Sequence, residues 1–372
     1  MTATHPGPRP SGVAPVDAWR GAGPRGMWWV AWRQHRTLIA VVVAVMALIA
    51  VALLVFRLRL AHALTAAGYP LNVDLGGSDP DYGAFDVWNP FDRTWFQLRA
   101  VMVAAPIVLG VFAGSPVFAR EYEQRTGIFA LTQSVSRRRW WATKAVVAGL
   151  PVVLGMLGLG LLMQWVAGSF GFTSGAVLYD GNFQVQGIIP AVFALVSVAI
   201  GVTAGIVTRS TLPGLVAALV VAGVVVIGLA YPLRTHLVPS TREVTPIAAA
   251  QVGPGYVPTG VGSDAPGSMV LAVGYLGADG QEIDFGATAC TNMPDPLIPG
   301  DTRDPDAYAQ QWNQALQDCM KGRGVVAQFT DYLPGSMLWP LRLVVTGICL
   351  AFAALVLAGG YLRLRAAPKS GN

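Results

Sequence analysis

The chain has 372 residues, of which 53% are hydrophobic and only 12% charged. An ordinary soluble domain carries about 25% charged residues, so this composition excludes a water-soluble globule and identifies an integral membrane protein. The net charge of +5 does not point to nucleic acid, because the basic residues gather beside apolar runs. The 43 glycines suit helices that approach closely in a bilayer.

Residues 1–26 are rich in Pro, Gly and Ala and read as a disordered cytoplasmic tail, with too few large apolar groups to offset chain ordering. No signal peptide is read there. Residues 27–36, MWWVAWRQHR, place Trp28, Trp29 and Trp32 on one helical face, with Arg33 at its edge and Arg36 within its arc. This is either a separate interfacial helix anchored by those residues or the cytoplasmic end of the first span.

Six apolar runs are long enough to cross a bilayer: 37–56, 100–119, 145–170, 188–207, 212–231 and 343–361. Before the second run, Trp88, Pro90, Phe91 and Trp95 suggest either a short helix lying at the membrane surface or a simple aromatic anchor. Between the second and third runs, 120–144 holds six basic and two acidic residues, the pattern of a short cytoplasmic loop. Spans four and five are joined by a tight turn containing Arg209. No span carries an ionisable group near its middle, although Gln164, Ser197 and Thr203 lie within spans, so nothing suggests a proton relay.

Residues 232–342 are too long for a simple turn and read as a small mixed or irregular exoplasmic domain. Within it, 306–320 predicts a helix with Tyr308, Trp312 and Leu316 on one face, and 271–283 predicts a hairpin. Cys290 and Cys319 are expected to form a disulfide on the oxidising side, with two free thiols as the alternative. Cys349 is expected to be an inert apolar side chain in span six. Residues 362–372 form a second cytoplasmic tail.

Lys and Arg set the orientation. With both termini cytoplasmic, the inside segments hold 15 basic against three acidic residues and the outside segments 10 against 17. The expected fold class is therefore an all-α polytopic membrane protein with six transmembrane helices, N-in and C-in. Phosphate-binding GxxxxGK[ST], HExxH and GxSxG motifs are absent, so no catalytic, cofactor-binding or metal site is expected in this chain.

The run SPVFAREYEQRTGIFALTQSVSRRRWWATK, followed directly by a long apolar span, resembles the first cytoplasmic loop of actinobacterial ABC-2 type permeases. Glu121 and Glu123 match the acidic pair of that loop and Thr126 the threonine of its turn. Residues 132–137 match its TQSVSR segment, and Arg138, Arg139, Trp140 and Trp141 its end. The Trp-Arg segment before span one, the enlarged loop before the last span and the approach DYLPGSMLWPLRLVVTG also fit. Arg125 departs from the usual Gly of the turn. Val344 and Val345 precede Thr346 where relatives often carry a Glu, so no role of that Glu is carried over.

The resemblance implies the permease half of an ATP-driven exporter in a bacterial plasma membrane. Two permease chains would assemble with two copies of a separate ABC ATPase, which would hold the ATP and Mg. Coupling to that ATPase would fall on Glu121, Glu123, Arg125, Thr126, Gln133, Ser136, Arg137, Arg138 and Arg139, with Ser136 capping the helix that follows. The three arginines oppose the dipole of that helix, so binding anionic lipid or fixing orientation is an alternative use for them. Spans two and five would line the route, with Met102, Phe112, Val216 and Val224 as candidate wall residues. Hydrophobic or amphipathic small molecules or lipids are the expected cargo. A nontransporting anchor or sensor whose exoplasmic domain binds a partner, or a membrane enzyme, are the alternatives.

Overall fold

The computed structural model describes residues 24–73, 82–124, 136–170, 177–178, 181–230, 237–246, 268–283 and 304–366. Eight α-helices, two short 3₁₀ helices (Phe183–Val185 and Gly335–Met337) and four strands are described: α1 Pro24–Ala66, α2 Tyr82–Gly114, α3 Pro116–Glu123, α4 Arg137–Gly168, α5 Ile189–Thr208, α6 Thr211–Ala230, β1 Thr241–Pro246, β2 Met269–Gly277, β3 Glu282–Ile283, α7 Pro305–Gly322, β4 Val325–Leu333 and α8 Leu338–Ala366. Six helical stretches are long and apolar enough to cross a membrane: α1, α2 with α3, α4, α5, α6 and α8.

α5 is the axis of the bundle. It is buried on almost every side and packs against α2, α4, α6 and α8. Its approach to α2 is backbone to backbone. A Cβ at Gly110 would stand 2.6 Å from the Ser197 Cβ, and one at Gly114 2.6 Å from the Val198 carbonyl oxygen. Gly201 and Gly205 press on Ser115 from the α5 side. Both helices thus carry a GxxxG pair, 110/114 and 201/205, which lets membrane helices gain dispersion contact where no hydrophobic force separates them from lipid. α1 packs beside α2 and α4 through a core containing Leu53, Phe56, Met102 and Met156.

The helices extend well beyond the apolar runs. α1 is continuous from Pro24, so Trp28, Trp29 and Trp32 stand on its first turns and not on a separate helix. α2 begins at Tyr82 and absorbs the aromatic segment before span two. Trp95 stacks on Phe56 of α1 with centroids 5.4 Å apart, and Trp88 meets the same ring edge-on at 6.4 Å. Those tryptophans are buried against α1, so they are core residues of a helix extension.

The segment between α6 and α8 is a helix-backed sheet. Its strand order is β1-β4-β2-β3, antiparallel throughout. The expected hairpin appears as β2 and β3, while β4 supplies the centre of the sheet. α7 covers it as its spacing predicts, with Leu316 and Met320 packed near Tyr275, Ile283 and Val325 and with Trp312 beside them. Met269 and Leu333 join the apolar core formed by α5, α6 and α8, seating the sheet on the bundle. Arg242 of β1 lies 4.0 Å from the Phe329 ring centroid, donates to both Asp331 oxygens at 2.8 and 2.7 Å, and reaches Glu282 at 3.0 Å.

The disulfide expectation is corrected to what the described residues show. Among the described residues no disulfide joins two cysteines: Cys349 is a free thiol buried in α8, far along the chain from α7, and Cys290 lies outside the described residues. Cys319 of α7 is not a free thiol.

Two measurements follow from this packing. Gly114→Ala should destabilise the chain by about 1–3 kcal/mol through overpacking at the α2–α5 contact, read as a lower melting temperature in detergent. Gly158→Ala, where a Cβ meets nothing within 4 Å, should leave it unchanged or raise it. In the sheet, the hydrogen bonds from Arg242 hold the Asp331 carboxyl below its ordinary range. A depressed carboxyl contributes stability above its unfolded pKa and loses it as pH falls through the folded value. Melting of the wild type should therefore drop on acidification below about pH 4, and Arg242→Met should flatten that part of the profile.

Candidate functional site

At the end of the bundle opposite the sheet, α3 organises the surroundings of the loop. Pro116 lacks an N–H and so cannot continue the hydrogen-bond ladder of α2, separating the two helices at Ser115. α3 is amphipathic. Val117, Phe118 and Ala119 are buried; the first two share a core with Trp140 and Ala148 of α4, Val198, Val202 and Ile206 of α5, and Leu364 of α8. Phe118 meets the Trp140 ring edge-on at 5.2 Å. Eight residues would not hold a helix in isolation, and this packing supplies the stability.

Two carboxylates on α3 do different work. Glu121 forms an ion pair with Lys144 of α4, whose side chain is 6% exposed against 17% for Glu121. The ammonium also lies 4.9 Å from the Trp140 ring centroid. A cation so placed would be costly alone, and the carboxylate and ring face replace its lost water. Glu123 is exposed and takes hydrogen bonds across the loop end: from Thr211 N at 2.7 Å, Ser210 Oγ at 3.1 Å and Thr211 Oγ1 at 2.6 Å. It therefore caps α6 from another helix, placing negative charge at the positive end of that helix. Arg209, between α5 and α6, adopts a left-handed backbone with φ 53° and lies 5.8 Å from the Tyr122 ring centroid.

These contacts frame the loop that the sequence singled out. Residues 125–135 lie outside the described residues, and with them Arg125, Thr126 and Gln133. Their two ends are fixed. α3 delivers the chain into the segment, and Ser136 receives it, accepting a hydrogen bond from Arg139 N at 3.3 Å as the N-cap of α4. Arg137 begins α4, and Arg138 and Arg139 are exposed on its first turn. Glu121 and Lys144 join the helix before the segment to the helix after it.

The other candidates fall elsewhere. Trp28, Trp29 and Trp32 are exposed near the start of α1, and Arg33 lies 5.2 Å from the Trp29 ring centroid. Phe112, Val216 and Val224 face outward, whereas Met102 is fully buried between α1, α2 and α4 and presents no surface to a route. Among the span polar groups, Ser197 bonds back to the Phe193 carbonyl, and Thr203 donates to the Val356 carbonyl at 3.0 Å, tying α5 to α8. No cluster of three or more His, Cys, Asp or Glu side chains able to hold a metal occurs among the described residues. The roles of Lys144, Ser210 and Thr211 were missed from sequence, because their partners are set by how α3 docks.

Removing one member of the buried pair should be expensive. Lys144→Met should destabilise the chain by about 3 kcal/mol by leaving the Glu121 carboxylate uncompensated. Lys144→Met with Glu121→Leu should be less destabilised than the sum of the single changes, a non-additivity that a double-mutant cycle on melting stability measures.

A family model described as ABC-2 membrane transporter related matches residues 43–234, from within α1 to just past α6. No curated protein and no solved structure matches the chain.

Proposed function

We propose, since this chain belongs to the ABC-2 membrane transporter related family, that it is the permease subunit of an ATP-driven exporter. It is a multi-pass membrane protein with six candidate spans, and permeases of this family are non-catalytic transport subunits. ATP and Mg belong to a separate ATPase, two copies of which work with two permease chains. Both termini face the cytoplasm, a reading supported by the 15 basic residues of the inside segments against 10 outside. The loop end of the bundle is then the ATPase side, and the sheet lies outside the cell.

The observation that carries the coupling role is the double attachment of the loop. On one side α3 is held to α5 and α6, and on the other α4 is held to α3 through Lys144 and Glu121. A push on 125–135 thus enters the bundle at its central helix. Arg125, Thr126, Gln133, Arg138 and Arg139 are the surface that meets the ATPase. Glu121, Glu123 and Ser136 hold that surface in place, with the α4 start at Arg137. Trp28, Trp29, Trp32 and Arg33 sit at the inner headgroup level. Phe112, Val216 and Val224 lie on outward apolar faces that suit a second permease copy, lipid, or hydrophobic or amphipathic cargo passing between copies.

Co-purification with a candidate ATPase in lipid nanodiscs tests this. Arg138→Glu should lower permease-dependent ATP hydrolysis several-fold while leaving melting temperature unchanged, because its side chain is exposed and outside the core. Glu123→Lys should lower it as well by releasing α6 from α3. An unchanged rate in both variants of an active assembly would remove the coupling role from this loop.

A further inference from the structure

At the sheet end, the chain between α4 and α5 does not stay outside the bundle. The amide of Gly187 donates to the carbonyl of Gly160 at 2.9 Å, and Gly160 lies eight residues before the last residue of α4. At 1.5 Å per residue the chain dips about 12 Å below that helix end. Irregular backbone at such depth is tolerated only where protein buries it or where it lines a polar cavity. Here it carries Asn182, Gln184 and Gln186, all buried. Asn182 accepts from Arg99 Nη1 at 3.3 Å and Gln184 from the Gly181 amide at 3.0 Å.

Two buried side chains here are not satisfied. Gln186 is 1% exposed, and neither its amide oxygen nor its nitrogen has a hydrogen-bond partner. Arg342, from the start of α8, is 2% exposed, with Nε and Nη2 buried and unpartnered. No carboxylate among the described residues pairs with it; its contact is the Trp339 ring, 5.4 Å away. Gly187 has φ +64°, and a Cβ there would stand 2.9 Å from Gln164 Oε1 and 3.0 Å from Arg342 Cζ. The next residue, Ile188, is the N-cap of α5 and makes no side-chain cap hydrogen bond.

Two positive features therefore lie together: the Arg342 guanidinium, close against Gly187, and the positive end of α5, which starts two residues further on. A buried unpaired charge is among the most destabilising features a fold can hold, and the start of α5 adds to the same sign. What the arrangement lacks, among the described residues, is an anion.

We propose that Arg342, with Gln186 and the uncapped start of α5, forms a binding site for a phosphate or carboxylate group. The guanidinium supplies a planar pair of charge-assisted donors, and the Gln186 amide supplies a neutral donor beside them. Exposed Trp339 and Leu343 on the same part of α8 border the site with apolar surface, which suits an anion on an amphiphile. The site is independent of the export reading and stands or falls separately from it.

The test uses the purified full-length chain and two probes, phosphatidylglycerol against phosphatidylcholine by native mass spectrometry, and inorganic phosphate by calorimetry. The wild type should retain the anionic lipid preferentially, and Arg342→Gln should weaken that retention at least about tenfold, as loss of a charge-assisted hydrogen bond requires. Gln186→Ala should weaken it less, and Arg342→Lys should be intermediate. Phosphate binding sensitive to Arg342 without lipid preference would assign the site to a soluble anion. In anion-free detergent Arg342→Met should melt no lower than the wild type, because the arginine serves a ligand and not the fold. Equal anion binding by wild type, Arg342→Gln and Arg342→Lys, or no anion binding by the wild type, would overturn the proposal. Should Arg342→Gln not fold, Arg342→Lys and Gln186→Ala decide it: binding equal to wild type in both overturns it.

Discussion

Contact between the backbones of α2 and α5 sets the position of nearly everything at the loop end. Gly110, Gly114, Gly201 and Gly205 remove the side chains that would hold these helices apart, and Ser115 sits in the resulting gap with no exposed surface. Because Pro116 follows at once, α3 starts from a fixed point on α5 and cannot drift along it. Its three buried residues then meet α4 and α5 together, and its carboxylates reach Lys144 and the start of α6. In a bilayer this seam has no hydrophobic driving force behind it, so its stability rests on close contact, and a hydrogen bond from Thr203 to the Val356 carbonyl ties the same central helix to α8.

The two ends of the bundle treat buried cations in opposite ways. Lys144 is enclosed by a carboxylate and a ring face, and the pair joins the helices on either side of the loop. Arg342 is at least as buried but has, among the described residues, a ring contact and no counter-charge. The first arrangement makes a rigid structural element. The second leaves a charge whose cost no described residue offsets, which is the observation behind the anion site proposed above. Read with the proposed orientation, the rigid end faces the energy source and the unsatisfied end faces the exit.

Much of this was legible in the chain. The six spans follow from apolar length, the cap at Ser136 from a serine before a helical run, and the packing face of α7 from Tyr308, Trp312 and Leu316 at fourfold spacing. The GxxxG pairs were readable too, although only the structure shows that they face each other. The extension of α2 was not legible, since Trp88 and Trp95 suit a headgroup layer as well as they suit the ring of Phe56. Nor was the sheet: β4 pairs with β1 and β2, partners far away in sequence, and its own pattern does not name them. Arg342 could not be singled out from the sequence, because its burial depends on where residues 181–187 enter the bundle. Lys144 read as one more basic residue of a loop, and its partner is chosen by the docking of α3.

The central claim is that α3 moves as one piece with α5 and α6, so that force on the loop reaches the spans. The most direct test is the distance between spin labels at Gln124, after α3, and Leu212, exposed at the start of α6, measured by double electron–electron resonance in the assembled transporter. The account predicts a single narrow distance that is the same with and without ATP on the partner ATPase. A distribution that broadens or shifts on nucleotide binding, with α3 moving apart from α6, would contradict it.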